Sequence, residues 1–68
     1  MKLLYKNWHR FFDEEYHEVS AEEMAEFVKK DSDKVETAYF HYVEAVCLDK
    51  VENGCLYFSL EIYNKKGG

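Results

Sequence analysis

The 68-residue chain has no proline, and its three glycines all lie at position 54 or later. No Gly- or Pro-rich linker, low-complexity segment or internal repeat can therefore divide the chain. We expect one domain, residues 1–68. No apolar run approaches the roughly 20 residues that span a bilayer, so a membrane partner is not expected. The opening MKLLYKNWHRFF starts basic, as a signal peptide does, but lacks the apolar centre and small-residue cleavage site of one. Cysteine is scarce: Cys47 and Cys55 are the only two. The hairpin register described below sets Cys55 beside Glu52, five residues from Cys47, and even a three-residue loop would leave the two about four residues out of step, on the order of 13 Å at the strand rise. A disulfide needs Cα atoms within about 7 Å. Two free thiols without a leader point to a reducing, cytoplasmic setting.

Motifs for catalysis are missing as well. There is no Gly-rich phosphate loop, nucleophile elbow or zincin pattern, and so short a chain has little volume for an enzyme-sized pocket. Ser20 is accounted for by helix capping and Ser59 by the hairpin. His9, Asp13 and His17 would share one helix face at i, i+4 and i+8, but the two histidines would stand about 12 Å apart and could not hold one ion. We expect no enzyme, cofactor or metal.

What the chain does have is aromatic weight and acid. One Trp, six Tyr and five Phe supply large buried area to a small core. The net charge is −5, and the acids concentrate in residues 13–36, after a basic segment at Lys2, Lys6 and Arg10. Such a block disfavours nucleic acid and steers toward a basic partner; a merely solvated face would read the same way.

Two elements are signalled locally. Asn53-Gly54 in VENGCL matches a type I′ turn, whose central residues both need positive φ. A two-residue loop pairs Glu52 with Cys55, Val51 with Leu56, Cys47 with Leu60 and Ala45 with Ile62. Val43, Ala45, Cys47 and Val51 then share a face with Leu56, Phe58, Leu60 and Ile62, and only Asp49, opposite Phe58, breaks the pattern. VETAYFHYV (35–43) is rich in strand-favouring types and extends the first strand. In VSAEEM, Ser20 and Glu23 form a capping box and Val19 and Met24 a hydrophobic staple. The helix runs over 20–30 with Met24, Phe27 and Val28 facing inward.

Residues 2–19 read as an amphipathic helix, because nearly all their apolar side chains fall within an arc of roughly 140°. Leu4, Trp8 and Phe11 would then have the spacing of helix-in-groove anchors, or simply be core. The alternative is an N-terminal β-hairpin turning near Phe12-Asp13. It avoids setting bases at the helix N-terminus and acids at its C-terminus, against the dipole. The fold class is α+β: a C-terminal antiparallel hairpin (about 35–52 and 55–64) packed by helix 20–30 and residues 2–19, with ββαββ as the alternative.

The outer face of that hairpin carries Ala38, Phe40, Tyr42, Val46, Leu48, Tyr57 and Tyr63, where a water-facing sheet should read polar. We expect a small acidic inhibitor or regulator that docks on a basic protein. Asp13, Glu14, Glu15, Glu18, Glu22 and Glu26 would steer it, and Phe40, Tyr42, Tyr57 and Tyr63 would hold it. A homodimer through the same face is an alternative. A further one comes from the ending, Gly67-Gly68 after a strand. In length, ending and the ββαββ order the chain resembles the ubiquitin-like sulfur carriers, whose β-grasp fold carries an activatable C-terminal Gly-Gly.

Overall fold

The computed structural model describes residues 1–36 and 41–64, the side chains of 33–36, 41, 42 and 64 excepted. The hairpin is the longest element, and its turn is the expected one. Asn53 and Gly54 take φ of 52° and 75° between strands β4 (His41–Glu52) and β5 (Cys55–Asn64). Glu52 pairs with Cys55 and Val51 with Leu56, also as expected. Beyond Lys50, which pairs with Tyr57, the register shifts: Asp49 is left out of the ladder and Leu48 pairs with Phe58. This β-bulge places two residues opposite one. Because side chains alternate, one extra residue exchanges the faces of everything upstream. Val46 and Leu48 therefore join Phe58 on the inner face, while Val43, Ala45 and Cys47 turn outward with Tyr57, Ser59 and Tyr63. The expected assignment of residues 43–48 to faces is corrected by this bulge.

The helix α2 (Ala21–Asp31) forms for the reasons read from its sequence. Ser20 Oγ accepts from the Glu23 N–H at 3.0 Å, and Glu23 Oε1 accepts from the Ser20 N–H at 2.9 Å. Both members of the staple, Val19 and Met24, are buried. Met24 and Phe27 face the sheet, but Val28 is exposed.

The N-terminal segment takes the alternative form. Residues 2–19 are not one helix but strand β1 (Lys2–Lys6), a single turn α1 (Trp8–Phe11) and strand β2 (His17–Val19). β1 pairs antiparallel with β2 and parallel with β5, covering what would otherwise be an open backbone edge on β5. That tertiary demand overrides the helical periodicity. Lys2 comes within 4.0 Å of Glu18, an approach that one continuous helix cannot make. A third correction concerns residues 35–43. Strand β3 (Asp33–Glu36) pairs antiparallel with β4, Glu36 opposite His41, so it is a separate strand rather than the start of the hairpin. The expected strand at 37–40 lies outside the described residues.

The fold is α+β, a mixed sheet in the order β2-β1-β5-β4-β3. With β3 the order is ββαβββ, one strand more than the expected ββαββ alternative, and β1 lies parallel to β5 at the centre of the sheet. Tyr5, Val19, Met24 and Phe27 form the core, with Leu3, Phe11, Val46 and Phe58 packed against it. Tyr5 is wholly buried, stacked on Phe27 at 5.3 Å and met edge-on by Phe11 at 6.0 Å. Its hydroxyl donates to Asp31 Oδ2 at 2.7 Å, and the same carboxylate accepts from Asn7 Nδ2 and from Arg10 Nε and Nη2. Among the described residues no buried side-chain polar atom lacks a partner.

Candidate functional site: the uncovered sheet face

The core clusters on one side of the sheet, and among the described residues no helix covers the other. The bulge controls the chemistry of this bare side. Asp49 accepts a hydrogen bond from the Ser59 hydroxyl at 2.8 Å and one from the Tyr16 hydroxyl at 2.7 Å. Ser59 is only 5% exposed, so the carboxylate satisfies a buried donor. It also pins the segment before β2 to the middle of the hairpin. The bond to Asp49, with burial second, pushes the Tyr16 phenol up to about 12.

Aromatic rings surround this carboxylate. Tyr16 meets Tyr57 edge-on at 5.0 Å. The ammonium of Lys6 lies 4.9 Å from the centre of the Tyr16 ring, and that of Lys50 lies 4.6 Å from the centre of Tyr57. Further along β5, Tyr63 is 46% exposed. Its hydroxyl donates to Glu61 Oε2 at 2.7 Å and lies 3.2 Å from Cys47 Sγ. Those two contacts, Cys47 first, hold its phenol above the usual tyrosine range. Both cysteines are free, as expected.

The expected site residues are only partly gathered. Tyr57 and Tyr63 share the bare face, Tyr57 half-buried beneath Tyr16 and Lys50. Phe40 and the Tyr42 side chain lie outside the described residues. Val46 and Leu48 belong to the helix-covered side, where Leu48, Val51 and Ile62 remain exposed. Of the acids, Glu18 sits on border strand β2, level with Leu4 of the bare face. Glu14, Glu15 and Glu22 are exposed. Asp13 is engaged by His17 at 2.9 Å, a bond that holds its carboxyl below the usual range, and Glu26 by Lys30 at 2.7 Å. Leu4, Trp8 and Phe11 do not form one surface: Leu4 is half-buried on the bare face, Trp8 is exposed and Phe11 packs on the core. Tyr16, Ser59 and Asp49 escaped the sequence reading, although the misfit of Asp49 opposite Phe58 was their signal.

A shallow groove of about 320 Å³ lies at the end of α2, lined by Asn7, His9, Lys30, Asp31, Glu44 and Leu60. Its Asp31 and Lys30 are already engaged within the protein. Among the described residues no group of three or more His, Cys, Asp or Glu is placed to hold a metal ion, and no helix is long and apolar enough to cross a membrane.

Comparison with protein-family models, with curated proteins and with solved structures finds no match.

Proposed function

We propose that the chain is a small docking module of the cytoplasm, a non-enzymatic inhibitor or regulator that binds another protein through the uncovered face of its sheet. The observation that carries this reading is the bare face itself, which presents Tyr16, Tyr57 and Tyr63 around a bulge-anchored carboxylate. Tyrosine suits such a role, since it offers apolar area with a polar tip at little entropic cost. The exposed acids Glu14, Glu15 and Glu18, in and just before β2, favour a basic partner surface and disfavour nucleic acid, and Glu22 on α2 adds to the negative field.

The test is kinetic. Added salt should slow association with the partner while changing dissociation little, and Tyr57→Ala should speed dissociation. A complex whose rates ignore both changes would remove the reading. Concentration-dependent light scattering separates out self-pairing through the same face.

The N-terminal hairpin followed by a helix, with β1 parallel to β5, favours a second reading, a carrier loaded at its C-terminal carboxylate, although β3 adds a strand to the ββαββ order expected of one. Removing Gly67 and Gly68 distinguishes the two: a carrier loses its activity, whereas a docking module keeps its affinity.

A further inference from the structure

Phe12 is the least economical residue of the described structure. It caps α1 in the left-handed conformation, φ 60° and ψ 28°, with its N–H donating to the Trp8 carbonyl at 2.8 Å. That position suits glycine or asparagine; a bulky side chain there is strained. Among the described residues the other left-handed one outside glycine, Asn53, is explained by its turn. Phe12 gains no burial in return, being 76% exposed. Trp8, one turn earlier, is 54% exposed and meets Phe12 edge-on at 6.3 Å. The contribution of α1 to the core comes from Phe11 instead. Folding alone would place a glycine at position 12 and a polar residue at position 8.

We propose that Trp8 and Phe12 form a protruding anchor that enters an apolar pocket, lipped by lysine or arginine, on the partner protein. The proposal rests on the docking reading above for the class of partner and assigns it a second surface. Charge selects the occupant. Glu14 and Glu15 follow Phe12 in the loop and are exposed. The nearby cations are largely spent: Arg10 is bound to Asp31 and lies over Phe27, and His17 is bound to Asp13. Among the described residues His9 stands against Trp8, edge-on at 5.7 Å. An acidic rim opposes an anionic lipid surface, and it opposes a second copy, which would bring like charges together. Tryptophan beside phenylalanine is the composition of an interface hot spot.

The experiment places p-benzoylphenylalanine at position 12 of the full chain, irradiates the cells that make it, and maps the cross-linked peptide by mass spectrometry. The same group at position 28, exposed on α2, is the control. The captured partner is then purified and titrated against the wild type, Phe12→Gly and Tyr57→Ala, with the emission of Trp8, the sole tryptophan, as a second readout. The proposal expects a cross-link in an apolar pocket flanked by basic residues and a shift of Trp8 emission to shorter wavelength on binding. It also expects affinity at least tenfold weaker for Phe12→Gly, at a melting temperature no lower than that of the wild type. Cross-linking to a second copy, to lipid, or no more strongly than from position 28 would overturn it. Wild-type affinity in Phe12→Gly would overturn it too; if Tyr57→Ala then weakens binding, the docking face alone survives, and if neither does, both readings fall.

Discussion

Excising one residue from the middle of a β-strand ordinarily unfolds a small protein, because every side chain on one side of the cut changes face. Asp49 should be an exception. It is the extra residue of the bulge, so its removal makes the pairs Leu48–Phe58 and Lys50–Tyr57 consecutive and leaves Val46, Leu48 and Phe58 on the core side. What is lost is the carboxylate that accepts from Ser59 and Tyr16. The Ser59 hydroxyl, 5% exposed, then has no acceptor, at a cost of about 1–3 kcal/mol. The Tyr16 hydroxyl is nearer water and adds about 0.5–1 kcal/mol. The sum is about 1.5–4 kcal/mol, or a melting temperature lower by roughly 10–30 °C for a domain of this size. Urea unfolding followed by circular dichroism measures it, and the slope of the transition should be unchanged, since the same surface is exposed. Excising Cys47 is the control. Cys47 lies in the regular ladder, so its loss turns Val46 away from Met24 and Phe27, and the protein should not fold cooperatively. A variant lacking Asp49 that fails to fold, beside a variant lacking Cys47 that folds, would refute the bulge and the assignment of faces drawn from it.

Three further outcomes are expected. Burial opposes the charge on Asp31, but the bonds from Arg10 and Tyr5 outweigh it and hold this carboxyl below the usual carboxylate range. A depressed folded-state value stabilises above the unfolded value near 3.9 and is lost as pH falls through the folded one. Chemical melts below about pH 4 should therefore show falling stability, with a flatter profile in Asp31→Asn. Phe12→Gly relieves about 1–2 kcal/mol of left-handed strain against about 0.5–1 kcal/mol of glycine entropy, so thermal melts should show unchanged or slightly higher stability. Ser20→Ala removes half of the capping box and should cost about 1 kcal/mol, measured by the same melts.

The parts legible in the sequence were those decided by a few neighbouring residues. Ser20 and Glu23 close a capping box within one turn, and Asn53-Gly54 has one good backbone solution, so α2 and the hairpin turn could be placed in advance. β1 could not be placed so readily. Its apolar spacing fits a helix, and what makes Lys2–Lys6 a strand is the open edge of β5 more than fifty residues later. The antiparallel approach of Asp33–Glu36 to His41–Glu44 was hidden because no glycine, proline or Asn-Gly stands between them. For the candidate site, Tyr57 and Tyr63 were legible from alternation counted out from the turn. The partners that shape the site were not, because Asp49 acts by leaving the ladder. A residue that breaks its strand's pattern is where the register itself should be doubted.

The account turns on the bare sheet face being the surface that holds a partner, and one comparison addresses that most directly. Dissociation rates of the partner complex should be measured for Tyr63→Ala, which alters the exposed ring on that face, and for Val28→Ala, which trims an exposed side chain on α2 across the molecule. We predict dissociation at least tenfold faster for Tyr63→Ala and within twofold of the wild type for Val28→Ala. The opposite pattern, with the helix variant released quickly and the tyrosine variant retained, would contradict the account.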